Sequence, residues 1–121
     1  EKALKLLDRT DEYAVLPCGG SGNIQYVKKQ LDKEGLESIA IADGDTKKKG
    51  SLKREIIELY ADVDIVNKVF DTNFVTLPRS KKEFFKRINE KDDVVKHILS
   101  QWARKQLVRD NDFVKELERM L

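Results

Sequence analysis

Short apolar runs that alternate with longer amphipathic ones predict an α/β chain, with a small parallel sheet flanked by helices and a helical C-terminal segment. Three observations carry this expectation. Residues 13–16 form an apolar run closed by Pro17 and Gly19-Gly20. A second run at 38–42 leads into Asp43-Gly44-Asp45. Between them Ile24, Val27 and Leu31 recur at helical spacing. A strand, a helical crossover and a parallel strand need about 30 residues, and this stretch supplies them.

Each element has its own reason. Ala3, Leu4, Leu6 and Leu7 make a short helical stripe before the first strand. The helix that starts near Asn23 turns Lys28, Lys29, Asp32 and Lys33 to water and stops at Gly35, a C-terminal signal. After the strand at 38–42 comes a polar loop at 46–50. A helix is then predicted over 51–60, with Leu52, Ile56 and Leu59 on one side and Ser51 as its cap. Residues 61–71 fit neither pattern. Phe74, Val75 and Thr76 favour extended structure, so 73–77 is predicted as a third strand, closed by Pro78. Residues 81–88 and 92–121 are charged and helical by pattern. Val95, Ile98, Leu99 and Trp102 form a stripe there, with a break near 110–112. The expected organisation is an α/β domain at 1–90 and a helical extension at 91–121 packed on it.

A chain of 121 residues can bury one substantial core. Charged residues are 38% and hydrophobic ones 40%, a globular balance with a strongly solvated surface. The net charge of +2 is too small to argue for nucleic acid or a membrane by itself, so any basic face must be local. Cys18 is the single cysteine, which excludes an internal disulfide and fits a reducing, cytoplasmic setting. No apolar run approaches the roughly 20 residues that span a bilayer, so no membrane association is expected.

Asp43 and Asp45 are the candidate metal ligands. Carboxylates at i and i+2 on extended backbone point the same way. Gly44 between them permits a sharp turn, and hard oxygen donors suit Mg²⁺, or Mn²⁺, with waters and substrate phosphates completing the shell. The same spacing also fits a plain Asp-Gly turn with a solvated second aspartate. The loop Cys18-Gly19-Gly20-Ser21-Gly22-Asn23 could receive a phosphate on free backbone N–H groups at a helix start, with Gly19, Gly20 and Asn23 as candidates. It equally fits a tight turn in which Asn23 or Ser21 caps the helix. It matches neither the P-loop nor the dinucleotide fingerprint. Lys47, Lys48 and Lys49 beside the aspartates are candidates for contact with a nucleic-acid backbone, or an ordinary soluble loop. His97 and Trp102 are read as structural.

The order "YAVLPCGGSGNIQYVKKQL" followed by "SIAIADGD" resembles the TOPRIM domain of topoisomerases and primases, over residues 1–45. It is most similar to the nucleases of the overcoming-lysogenization-defect type. The resemblance implies a Rossmann-like TOPRIM fold. It also implies Mg²⁺-dependent cleavage of nucleic-acid phosphodiesters, with DNA as the expected substrate, and a fused or associated ATPase. Asp43 and Asp45 would hold the ion, Glu83 in "TLPRSKKEFF" would be a further acidic ligand, and Lys96 the counterpart of a lysine near the scissile phosphate. The family's first-strand "EG-x-x-D/E" motif is missing before the glycine loop, and Glu1 stands where its last acidic residue would fall. Two other readings accompany this one: a degenerate, non-catalytic TOPRIM-like binding module, and a nucleotide-sugar-dependent transferase using the Asp-x-Asp motif.

Overall fold

The structure is a computed structural model that describes residues 1–46 and 51–121, with only the backbone described at Ser21 and Thr46. Among the described residues the chain forms six α-helices: α1 (Lys2–Leu6), α2 (Ser21–Lys33), α3 (Val63–Phe70), α4 (Lys81–Arg87), α5 (Asp92–Gln106) and α6 (Asp112–Met120). Two 3-10 turns, Gly44–Thr46 and Ile57–Tyr60, lie between α2 and α3.

The expected parallel sheet is not formed, and the α/β, Rossmann-like expectation is thereby corrected: the described chain is helical, and its β pairing is one parallel bridge, Ala42 to Ser51. The reasons are local. At 13–16 the run has no strand beside it, and Val15 and Leu16 are exposed. At 38–42 the Lys28 ammonium donates to Ser38 O at 3.0 Å and to its Oγ at 3.1 Å, while Ile39 and Ile41 stay exposed. At 73–77 a side chain takes the place of a strand neighbour. Asn67 accepts from Phe74 N through Oδ1 and donates to Phe74 O through Nδ2, both at 2.9 Å. Both ladder groups of Phe74 are thereby satisfied without a sheet. Phe74 is buried, whereas Val75 is 91% exposed.

The helix expected over 51–60 is also replaced. Its N–H groups find partners other than the carbonyls of a helix: Leu52 donates to Ala42 O at 2.7 Å, Lys53 to Glu116 Oε1 at 2.7 Å and Arg54 to Tyr60 Oη at 3.2 Å. The segment stays irregular until the 3-10 turn at Ile57–Tyr60. The undecided stretch at 61–71 contains α3, started by the Asp62 carboxylate on Asp64 N and ended by Asp71 in the left-handed region at φ 53°.

Helical periodicity is realised elsewhere. α2 ends before Gly35, whose N–H donates to Asp32 O at 3.1 Å. Ser80 caps α4, and Asn111 caps α6 by accepting from Phe113 N at 2.8 Å. The break near 110–112 spans 107–111.

Two apolar clusters hold the chain together. The larger joins Ile56, Leu59, Val66, Phe74, Phe84, Ile88, Val95 and Leu99, so α3, α4 and α5 share one core. Val95 and Leu99 of α5 thus pack with Phe84 and Ile88, across the expected boundary at 90/91. The smaller joins Ala3 and Leu4 of α1 to Leu107 and to Val114 and Leu117 of α6, with Trp102 packed against it. Each fully buried Leu, Val or Phe side chain contributes about 1.5–3 kcal/mol.

Candidate functional site

The turn at 42–45 is clamped to residues 52–55. Gly44 N donates to Arg54 O at 2.9 Å and Asp45 N to Glu55 O at 3.1 Å, next to the Leu52–Ala42 bond. Gly44 is required by proximity: a Cβ there would lie 2.2 Å from Arg54 O and 2.4 Å from Leu52 O. The clamp fixes the backbone from which Asp43 and Asp45 project.

Charged side chains from three other elements meet these aspartates. Lys81, the first residue of α4, donates its ammonium to Asp45 Oδ2 at 2.5 Å, while its backbone N–H donates to Glu55 Oε2 at 3.2 Å. Burial pushes the Asp43 carboxyl above the ordinary carboxylate range, and the Asp45 charge adds to the rise. The Ile57 backbone N–H and the ammonium groups of Lys96 and Lys81 oppose it. Glu58, in the Ile57–Tyr60 turn, is also raised by burial, against the pull of its own backbone N–H and of Lys96, with Asp43 adding to the rise. The bond to Asp45 raises Lys81, with Asp45, Glu55 and Asp43 acting as negative neighbours. Lys96, on α5, is held 6.0 Å from the Phe85 ring centroid.

Of the sequence-derived candidates, Asp43, Asp45 and Lys96 therefore come into one electrostatic neighbourhood. Glu83 lies exposed on α4, where its N–H donates to Ser80 Oγ at 3.4 Å. Among the described residues no three carboxylate, imidazole or thiol side chains are placed to share one metal ion. Gly19, Gly20 and Asn23 form the turn that opens α2. Gly19 has φ +83°, Gly20 is the extended N-cap, and Asn23 N donates to Gly20 O at 3.0 Å. No side chain caps α2. Lys47, Lys48 and Lys49 lie outside the described residues. His97 is exposed on α5, and Trp102 packs against the smaller cluster.

Glu58, Glu55 and Lys81 belong to the neighbourhood although sequence reading did not single them out. Glu55 and Glu58 sit where a solvated helix face was expected, and Lys81 is one of many surface lysines; no spacing marks any of the three.

The donor set fits Mg²⁺ or Mn²⁺, since hard carboxylate oxygens on a fixed turn suit such ions, which keep several waters and take one or two protein carboxylates. The Lys81 ammonium seated on Asp45 shows that positive charge is accommodated there.

Comparison with known proteins returns no match: no family model, curated protein or solved structure matches the chain. No helix among the described residues is long and apolar enough to cross a membrane.

Proposed function

We propose that the chain cleaves nucleic-acid phosphodiesters, with DNA as the substrate, at a divalent-metal site on Asp43 and Asp45. The observation that carries this reading is the clamped Asp-Gly-Asp turn, met by Lys81 and Lys96 from two separate helices. The likeness of the motif order to TOPRIM nucleases of the overcoming-lysogenization-defect type supports it; the reading rests on the site and not on that family's sheet.

Asp43 and Asp45 would hold Mg²⁺ or Mn²⁺, and the bound ion supplies charge that polarises a phosphoryl oxygen. Lys81, bonded to Asp45, and Lys96, a charged neighbour of Asp43, would offset the charge that builds on the phosphate, a task for fixed positive groups. The Ile57 N–H and Lys96 oppose the rise that burial and Asp45 impose on the Asp43 carboxyl. The Gly19-Gly20-Asn23 turn and Lys47, Lys48 and Lys49 are assigned to phosphate contacts on the motif alone, and Glu83, exposed on α4, is given no place on the ion. An associated ATPase and a cytoplasmic setting belong to the same proposal.

A non-catalytic binding module is the second reading. The Lys81–Asp45 pair favours it, because that bond satisfies one of the two aspartates without any metal. Supercoiled plasmid incubated with the chain and Mg²⁺ or Mn²⁺ separates the two. The nuclease reading expects nicked and linear products from the native chain and their loss, by at least about a hundredfold, in an Asp43→Ala, Asp45→Ala double variant. Intact plasmid with both proteins, each folded by circular dichroism, would leave the binding module.

A further inference from the structure

An open cleft of about 780 Å³ lies beside the aspartate turn, lined by Lys53, Arg54, Tyr60, Val75, Arg79 and Asp112 among others. Its volume falls in the range of small-molecule and nucleotide sites, about 300–1,000 Å³. Its charge is one-sided. The Asp112 carboxylate is taken by Arg54 at 2.7 Å, and the Arg54 guanidinium is also fixed over the Tyr60 ring at 4.8 Å and on Leu59 O. Lys53 and Arg79 are exposed, and among the described residues neither side chain makes an ion pair. Two free cations thus flank a neutralised pair.

Both walls of the cleft are tied through the backbone to the candidate metal site, although the aspartates themselves do not line it. Arg54, on one wall, accepts through its carbonyl from Gly44, and the next residue, Glu55, accepts from Asp45 N. The other wall, at 75–79, runs through Ser80 to Lys81, which holds both Asp45 and Glu55. An extended ligand lying between Lys53 and Arg79 would need to run past Arg54 or Lys81 to reach the carboxylates, and both residues are bonded to the aspartate turn. Its anionic groups would lie on the two cations, while Val75 and Leu77 offer apolar wall to sugars.

We propose that this cleft binds the sugar-phosphate backbone of the substrate strand, with Lys53 and Arg79 on its phosphates. This deepens the nuclease reading and rests on it. Lys53 and Arg79 are positioning residues: they register the strand and leave the chemistry to the aspartate turn.

The test is fluorescence anisotropy of a labelled mixed-sequence single-stranded oligonucleotide with the full chain in EDTA, as a function of KCl. A Lys53→Gln, Arg79→Gln double variant is compared with a Lys29→Gln, Lys33→Gln variant. The latter makes the same change of charge on exposed positions of α2 that line no part of the cleft. The proposal expects the cleft variant to bind roughly tenfold or more weaker than the control at low salt. Its slope of log affinity against log salt should be shallower by about 1–2. Equal loss in both variants, native-like binding by the cleft variant, or displacement of the oligonucleotide by poly-glutamate as readily as by unlabelled DNA overturns it. Absence of binding by the native chain overturns it too. In each of these four failures, plasmid cleavage that still requires Asp43 and Asp45 leaves the nuclease reading standing.

Discussion

Gly44 is held by contact, since its missing side chain is what lets the 42–45 turn lie against the carbonyls of Leu52 and Arg54. A methyl group cannot fit at 2.2 Å from backbone oxygen, and the atoms it meets belong to a segment anchored by Glu116 and Tyr60. Gly44→Ala is therefore expected to lower stability by about 1–3 kcal/mol in denaturant unfolding, as overpacking does, and to displace both aspartates. Unchanged stability would show that the turn does not lie on those carbonyls. A reader of the sequence can see that Asp-Gly-Asp favours a turn, but not which backbone it packs on. Glu58 was hidden for the same reason: its place beside Asp43 and Lys96 depends on a 3-10 turn that helical spacing does not announce.

At the scale of elements, α6 is tied to the irregular segment before α3 by one buried carboxylate. Glu116 accepts from Tyr60 Oη at 2.5 Å and from Lys53 N at 2.7 Å, and Asn111 Nδ2 donates to Tyr60 O at 2.8 Å. Burial and the neighbouring Glu116 push the Tyr60 hydroxyl up to about 12. The sign follows from linkage. Tyr60 keeps its proton more tightly when folded than when unfolded, so its contribution is complete below pH about 10 and is lost as pH rises through about 12. Alkaline unfolding of the native chain should steepen in that window, and Tyr60→Phe should remove the steepening while lowering stability at neutral pH. Identical alkaline profiles would mean that the hydroxyl does not bond to Glu116. The same elements show what pattern can and cannot reveal. α2, α4 and the pair α5 and α6 follow their helical patterns closely, because a helix closes its hydrogen bonds within itself. A strand needs a neighbour, and the apolar runs at 13–16, 38–42 and 73–77 could be read only as strands awaiting one. At 38–42 and 73–77, Lys28, Asn67 and the Ala42–Ser51 bridge took up backbone groups instead.

At the scale of the molecule, the buried residues of the two apolar clusters come from 3–4 and 56–117, while among the described residues the stretch from 14 to 41 contributes no buried side chain. The aspartate turn follows that stretch directly, is clamped by 52–55 and has Lys81 of α4 and Lys96 of α5 as charged neighbours. Sequence pattern singled out both aspartates because the Asp-Gly-Asp motif is local, whereas Lys96 was named by the resemblance alone. The meeting of Lys81, Glu55 and Glu58 with them is a product of helix packing, which spacing does not record. The central claim is that Asp43 and Asp45 together take a divalent cation. Electron paramagnetic resonance of Mn²⁺ titrated into the full chain tests it most directly, because the free-ion signal falls as the ion is bound. The native chain should deplete that signal with saturation near one ion per chain, and an Asp43→Asn, Asp45→Asn variant should leave it at the level of buffer. Equal depletion by the two proteins, or none by the native chain, would contradict the claim.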